Sequence, residues 1–276
     1  MSVFRRIVYA SLVAVVILGC VMSGTTCWPC EKLSRHWPFS EDASFSELVT
    51  DYDVVIMKHC YPVSDVLEDT GDPDPESTRR SIENYKAIYG LLRDEFDKHP
   101  DTIFIVWTLP PRHRLYGDDA AARDEKAARA TEFSEWLKTD FLTEDGPHPN
   151  IYVWDFRGIV MDPDTNFLKY EYEKDHDSSD SHPNDAANNV AGPPFARFVV
   201  DSIVDFADGD VMAERAEIVF LHHSTGENVY DYPDLGVPDW FDNYNETQGT
   251  ELDISEKLYP RDGNKPVDYY HTWLAD

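Results

Sequence analysis

A chain of 276 residues with 42% hydrophobic and 13% aromatic content is globular and long enough for one substantial core or two small ones. It carries 53 acidic residues against 24 basic ones, a formal net charge of -29. A surface this acidic repels nucleic acid and anionic membrane faces, so neither is an expected partner.

The chain opens on Arg5 and Arg6, followed by the apolar run "IVYASLVAVVILG" at 7–19, which is short for a comfortable membrane span. The run ends at Cys20, and "ILGC" is similar to a bacterial-type lipobox, although Leu18 is bulky for its place. Residues 1–20 therefore read as a signal peptide with a lipidation candidate at Cys20, with an uncleaved anchor helix as the alternative. The expected product is exported, sits at the cell surface, and touches the membrane only through this segment or its lipid. Residues 21–45 are polar and read as a tether. Within them "CWPC" sets Cys27 and Cys30 at a spacing that favours a local disulfide in an exported chain. No second CxxC completes a zinc site. The acidic, lysine-poor coat resembles those of salt-adapted organisms.

Residues 46–276 read as one domain. Val54–Met57 is a four-residue apolar run bounded by charge, the mark of a buried strand. "EDTGDPDPES" (68–77) is a loop. Ile82, Tyr85, Ile88, Tyr89, Leu92 and Phe96 recur at helical spacing and predict a helix over about 78–99. "DTIFIVWTLPP" (101–111) predicts a second strand, 119–142 an Ala-rich helix, and "PNIYVWDF" (149–156) a third strand. A polar segment over 162–184 leads into a helix over 185–206, which Pro193 and Pro194 are expected to break or restart. "AEIVFL" (216–221) is the fourth strand. The rest, 230–276, reads as aromatic and loop-rich, with "TELDIS" (250–255) as the candidate fifth strand. The alternation predicts a three-layer α/β/α sandwich on a mostly parallel five-stranded sheet, with its site beyond the carboxyl ends of the strands.

Three polar clusters fall at that edge or near it: 58–65, 222–226 and 175–184. Ser224 lies at a strand-to-helix turn, where a hydroxyl can project from the sheet edge. A serine hydroxyl needs a base to act as a nucleophile. His182 in "DSHPN" is the base candidate, among Asp175, Asp177 and Asp180. A carboxylate beside it would fix its tautomer. Read alone, the same segment is a helix-entry loop of capping Asp and Ser residues.

Together these segments resemble the SGNH (GDSL-like) hydrolases. "VFLHHSTG" looks like the family's serine block, with His222 and His223 in place of Gly-Asp. "DSHPNDAAN" looks like its histidine block, "DVVIMKHCYPVSD" falls where the third-strand block belongs, and "IFIVWTLPP" matches the next strand. The "HHSTG" and "KHC-P-S" segments mark a divergent group. The resemblance covers most of 45–276 and implies a serine esterase without a cofactor. Ser224 would be the nucleophile, His182 the base and Asp180 its orienter. The implied substrates are acyl (acetyl) esters of carbohydrates or other small esters; an O-acyltransferase would use the same residues. Three departures stand out. The family acid lies three residues before the histidine, where this chain has Ser179. The oxyanion asparagine of the third block is absent, leaving Gly226, Lys58, His59 and Cys60 as oxyanion or substrate-binding candidates. The serine block follows the histidine block, which implies a circular permutation with the old termini joined near 205–216, with a fragment of a tandem duplication or a domain-swapped dimer as the alternatives.

Two competing readings remain. His222, His223, His59, His176 and His182 could converge on a metal, but adjacent residues of an extended segment point opposite ways and no HExxH-like spacing occurs. A non-catalytic surface protein on the same fold is the other, since a fold alone does not establish activity.

Overall fold

The computed structural model describes residues 43–117, 119–207, 214–259 and 267–274. The leader with Cys20, the Cys27 and Cys30 pair, most of the tether and the middle of the 205–216 segment lie outside the described residues.

Five strands form one sheet: β1 (Val54–Met57), β2 (Ile103–Trp107), β3 (Ile151–Trp154), β4 (Arg215–His222) and β5 (Glu251–Leu258). All neighbours pair in parallel, in the order β3-β2-β1-β4-β5. Parallel strands are covered on both faces, so they can be apolar throughout. β1 and β2 are buried at every residue.

The two-residue period of the strands divides the core. Val55, Met57, Phe104, Val106, Val219 and Leu221 meet α1 (Phe45–Asp51), α2 (Ile82–Phe96), α3 (Ala120–Lys138) and α8 (Val267–Trp273). Val54, Ile56, Ile105, Trp107, Ile218 and Phe220 meet α4 (Phe156–Val160), α5 (Asp185–Ala207), α6 (Thr225–Tyr230) and α7 (Val237–Gln248). The expected three-layer sandwich is therefore present. Each fully buried aliphatic side chain in these layers contributes about 1.5–3 kcal/mol.

Several elements differ from the sequence reading. α1 is an added helix, started by a reciprocal capping box between Ser44 and Glu47. α2 begins at Ile82, not near Thr78, because Ser81 is extended and bridges to Leu67. α5 runs unbroken through Pro193 and Pro194. Those prolines lie on its outer, solvent-reached side, while Ala187, Ala191, Phe195, Val199 and Ile203 hold the helix to the sheet. The stretch after residue 230 is more regular than expected. It holds α7, an eight-residue β5 and α8, and β5 buries Leu252 and Ile254 in alternation with exposed Glu251 and Asp253.

The strand order reverses between β1 and β4. The chain leaves β1 toward β2 on one side and leaves β4 toward β5 on the other. Such a switch point opens a crevice beyond the carboxyl ends of the two strands. With Met57 beside Leu221, the residues that follow, 58–60 and 222–224, emerge together at that crevice.

Candidate active site

Ser224 lies two residues past the end of β4, at the N-cap position of α6 but without a side-chain capping bond. Its Oγ lies 3.0 Å from His182 Nε2, although the two residues are 42 positions apart. His182 Nδ1 lies 2.5 Å from Asp180 Oδ1. A carboxylate accepts, so Nδ1 carries the hydrogen and Nε2 is left to accept the Ser224 O–H. The backbone N–H of His182 also donates to Asp180 Oδ1, at 3.0 Å, which makes the pair an Asx turn. Burial raises the Asp180 pKa, but the backbone and ring hydrogen bonds from His182 outweigh it and hold the carboxyl below its ordinary value. Asp180 thus orients the ring from two residues upstream.

The loop that presents His182 is pinned at both ends. Glu173 bridges to Pro183, and Asn184 donates its side-chain amide to the carbonyls of Glu171 and Glu173. Glu173 is buried and ion-paired to Arg114 Nε at 3.0 Å, with His176 Nδ1 at 2.9 Å. The Arg114 guanidinium donates in turn to the carbonyl of His176. Ser181 Oγ accepts the backbone N–H of His113 at 3.0 Å. His113 Nδ1 accepts from Leu115, so that ring is neutral with its hydrogen on Nε2. Its Nε2 is 3.3 Å from Glu173 but lacks hydrogen-bond alignment. None of these clamp residues carries a motif. Glu173 and Arg114 become visible only when the β2–α3 loop and the 173–184 loop meet.

The β1 cluster divides three ways. Cys60 Sγ sits 3.3 Å from Ser224 Oγ, as a free thiol. Lys58 is buried and donates to the carbonyl of His223, 3.3 Å away, just behind Ser224. Burial draws its pKa down to about 8. The His59 ring turns toward the other layer, edge-on to Tyr269 at 4.8 Å and near Tyr89 at 5.9 Å. Burial, then the nearby Lys58 and His223 charges, lower its pKa to about 3, so it is neutral. Nothing in the sequence marks Tyr61. Its ring meets His182 edge-on at 4.7 Å, and it is held by Arg112.

His222 and Gly226 form a separate unit. His222 is buried, and its Nε2 lies 2.6 Å from Glu256 Oε2 on β5. A Cβ on Gly226 would lie 2.4 Å from the His222 Cβ, so this glycine is needed for close packing. Its N–H is engaged by the carbonyl of His223 at 2.8 Å. Among the described residues no group of three or more His, Cys, Asp or Glu side chains could hold a metal ion. His176 is tied to Glu173, and His182 to Asp180 and Ser224.

What remains is a hydroxyl, an imidazole and a carboxylate in sequence at a sheet switch point. That arrangement can transfer a proton from the hydroxyl as it attacks an electrophilic carbon. No family model, curated protein or solved structure matches this chain.

Proposed function

We propose that the chain is an exported serine esterase of SGNH type. The observation that carries the reading is the single-chain relay Ser224 Oγ, His182 Nε2, His182 Nδ1, Asp180 Oδ1, with links of 3.0 and 2.5 Å. His182 takes the Ser224 proton as Oγ adds to the ester carbonyl. The tetrahedral adduct collapses, the C–O bond to the alcohol breaks, and His182 returns the proton to the leaving alcohol. Water, deprotonated by His182, then cleaves the acyl-serine and releases the acid. A sugar hydroxyl in place of water gives acyl transfer. Asp180 keeps the ring in the required tautomer and stabilises the imidazolium. Carbohydrate or other small acyl esters are the substrate class. The lipobox-like "ILGC" supports a surface anchor at Cys20.

The permuted relationship has its own support. Counted from β4, the sheet order becomes 2-1-3-4-5, the other common order of doubly wound sheets.

The test is hydrolysis of p-nitrophenyl acetate by the wild type, Ser224→Ala and His182→Ala, with and without a chelator. High salt screens the self-repulsion of a chain of net charge -29. Activity that survives the chelator and falls roughly 10³-fold or more in both variants is expected. Chelator-sensitive activity, or no turnover over a broad ester panel by folded protein, overturns the reading.

A further inference from the structure

Lys58 is a buried cation behind Ser224 that plays no part in the proton relay. It is 1% exposed, and its Nζ donates to the carbonyl of His223 at 3.3 Å. Burial lowers its pKa to about 8, and among the described residues Cys60, not a carboxylate, is the neighbour that favours the charge. A buried ammonium without a counter-ion is costly as a mere packing element. Its field is also weakly screened at that depth.

The bond falls on one particular peptide. The His223 carbonyl shares a planar unit with the Ser224 N–H, and in a trans peptide the two point in opposite directions. A carbonyl held on Lys58 therefore turns the N–H of the nucleophile away from Lys58. The same carbonyl accepts the Gly226 N–H at 2.8 Å. Two donors on one oxygen fix the peptide plane, and Gly226 is thereby spent as an oxyanion donor. The charge at the carbonyl end also polarises the N–H end, because hydrogen bonds in series strengthen one another. Donors fixed and polarised in advance are what stabilise a developing oxyanion.

We propose that Lys58 is a positioning residue for the ester reaction: its ammonium, set on the His223 carbonyl, holds the His223–Ser224 peptide so that the Ser224 N–H meets the oxyanion. The proposal rests on the esterase reading of Ser224 and His182 and adds the group that sets the oxyanion donor.

The test follows kcat and KM on p-nitrophenyl acetate between roughly pH 6 and 9 for the wild type and Lys58→Met. Methionine fills the space of the stem without a charge, a kind of change that buried ions often tolerate. Lys58→Met should lower kcat by about tenfold or more and leave KM within about threefold, the pattern of an interaction made in the transition state. Wild-type kcat should also fall as pH rises through about 8, where the ammonium gives up its proton, and Lys58→Met should lack that step. The titratable groups around Lys58 are His59 and Cys60 on its own segment, His223 after β4, and Tyr269 of α8, whose hydroxyl donates to the Lys58 carbonyl. His59 is neutral and burial keeps Tyr269 protonated. Cys60→Ser and His223→Gln are therefore the controls, and both should keep the step. A flat wild-type profile, a step that persists in Lys58→Met, or a loss confined to KM overturns the proposal and leaves the esterase standing. If the wild type hydrolyses no ester, the esterase reading fails and the peptide is read directly by NMR of the full chain with carbonyl-labelled histidine. The His223 carbonyl, assigned by its loss in His223→Gln, should then shift with a midpoint near pH 8 in the wild type and not in Lys58→Met. A carbonyl that does not respond overturns the positioning role as well.

Discussion

Two histidine–carboxylate pairs stand at the same edge of the sheet. His182 meets Asp180 at 2.5 Å, and His222 meets Glu256 at 2.6 Å. They differ in what the second nitrogen does. His182 sits on a loop, pairs through Nδ1, and aims Nε2 at the Ser224 hydroxyl. His222 sits on a strand, pairs through Nε2, and its Nδ1 is buried with no partner, close to Gly226. A histidine with a carboxylate partner thus reaches a hydroxyl in one place and makes a packing unit in the other. The deciding factor is a reachable hydroxyl, and that depends on which element carries the ring.

The sharpest break of this comparison removes the two carboxylates in turn. Asp180→Asn should lower kcat on p-nitrophenyl acetate by about 10²–10⁴-fold, because the imidazole loses its tautomer and its counter-charge. Glu256→Gln should change kcat by less than about threefold but lower stability by about 0.5–1.5 kcal/mol, since His222 is buried while Glu256 is exposed. Comparable losses of kcat in both variants would erase the distinction. Next in size is Gly226→Ala. The added Cβ would come within 2.6 Å of the His222 Cγ, and relief requires a shift of β4 or α6. A loss of about 1–3 kcal/mol in denaturant unfolding is expected; an unchanged midpoint would mean that the two elements are not so tightly set.

The smallest effect concerns a third histidine, His59. Its native pKa, near 3, lies below the ordinary value of 6.5. The unfolded chain therefore binds the proton first as pH falls, and the stability present above pH 6.5 is lost progressively toward pH 3. The wild type should lose about 1–2 kcal/mol more than His59→Phe between pH 6.5 and 5, judged from the difference between their unfolding curves. Parallel curves would mean that His59 is solvated.

Much of the site was legible locally. Ser224 and His182 stood out because each lies where a polar cluster meets the end or start of a regular element. Asp180 could be chosen over its neighbours because it is nearest in the turn. The capping box at Ser44 and Glu47 is equally local, but seven residues show too little periodicity to announce a helix. The proline pair misled for a related reason. A propensity rule counts the lost N–H groups, but not the buried face that holds α5 in place. Tyr61, Glu173, Arg114 and Glu256 have no signal of their own. Each gains its place from a partner that is distant in the chain.

The sequence by itself determined the α/β class, the parallel character of its apolar strands, and Ser224 and His182 as candidates that the fold brings together. These follow from period, punctuation and residue type, which act over a few residues. Only the tertiary structure decided the strand order and the meeting of His182 with Ser224 across 42 residues. It also assigned His222 to Glu256, 34 residues away. The physical reason is that contacts at a sheet edge are fixed by which strands lie side by side. That choice comes from burying both faces of the whole sheet at once, which no local pattern records.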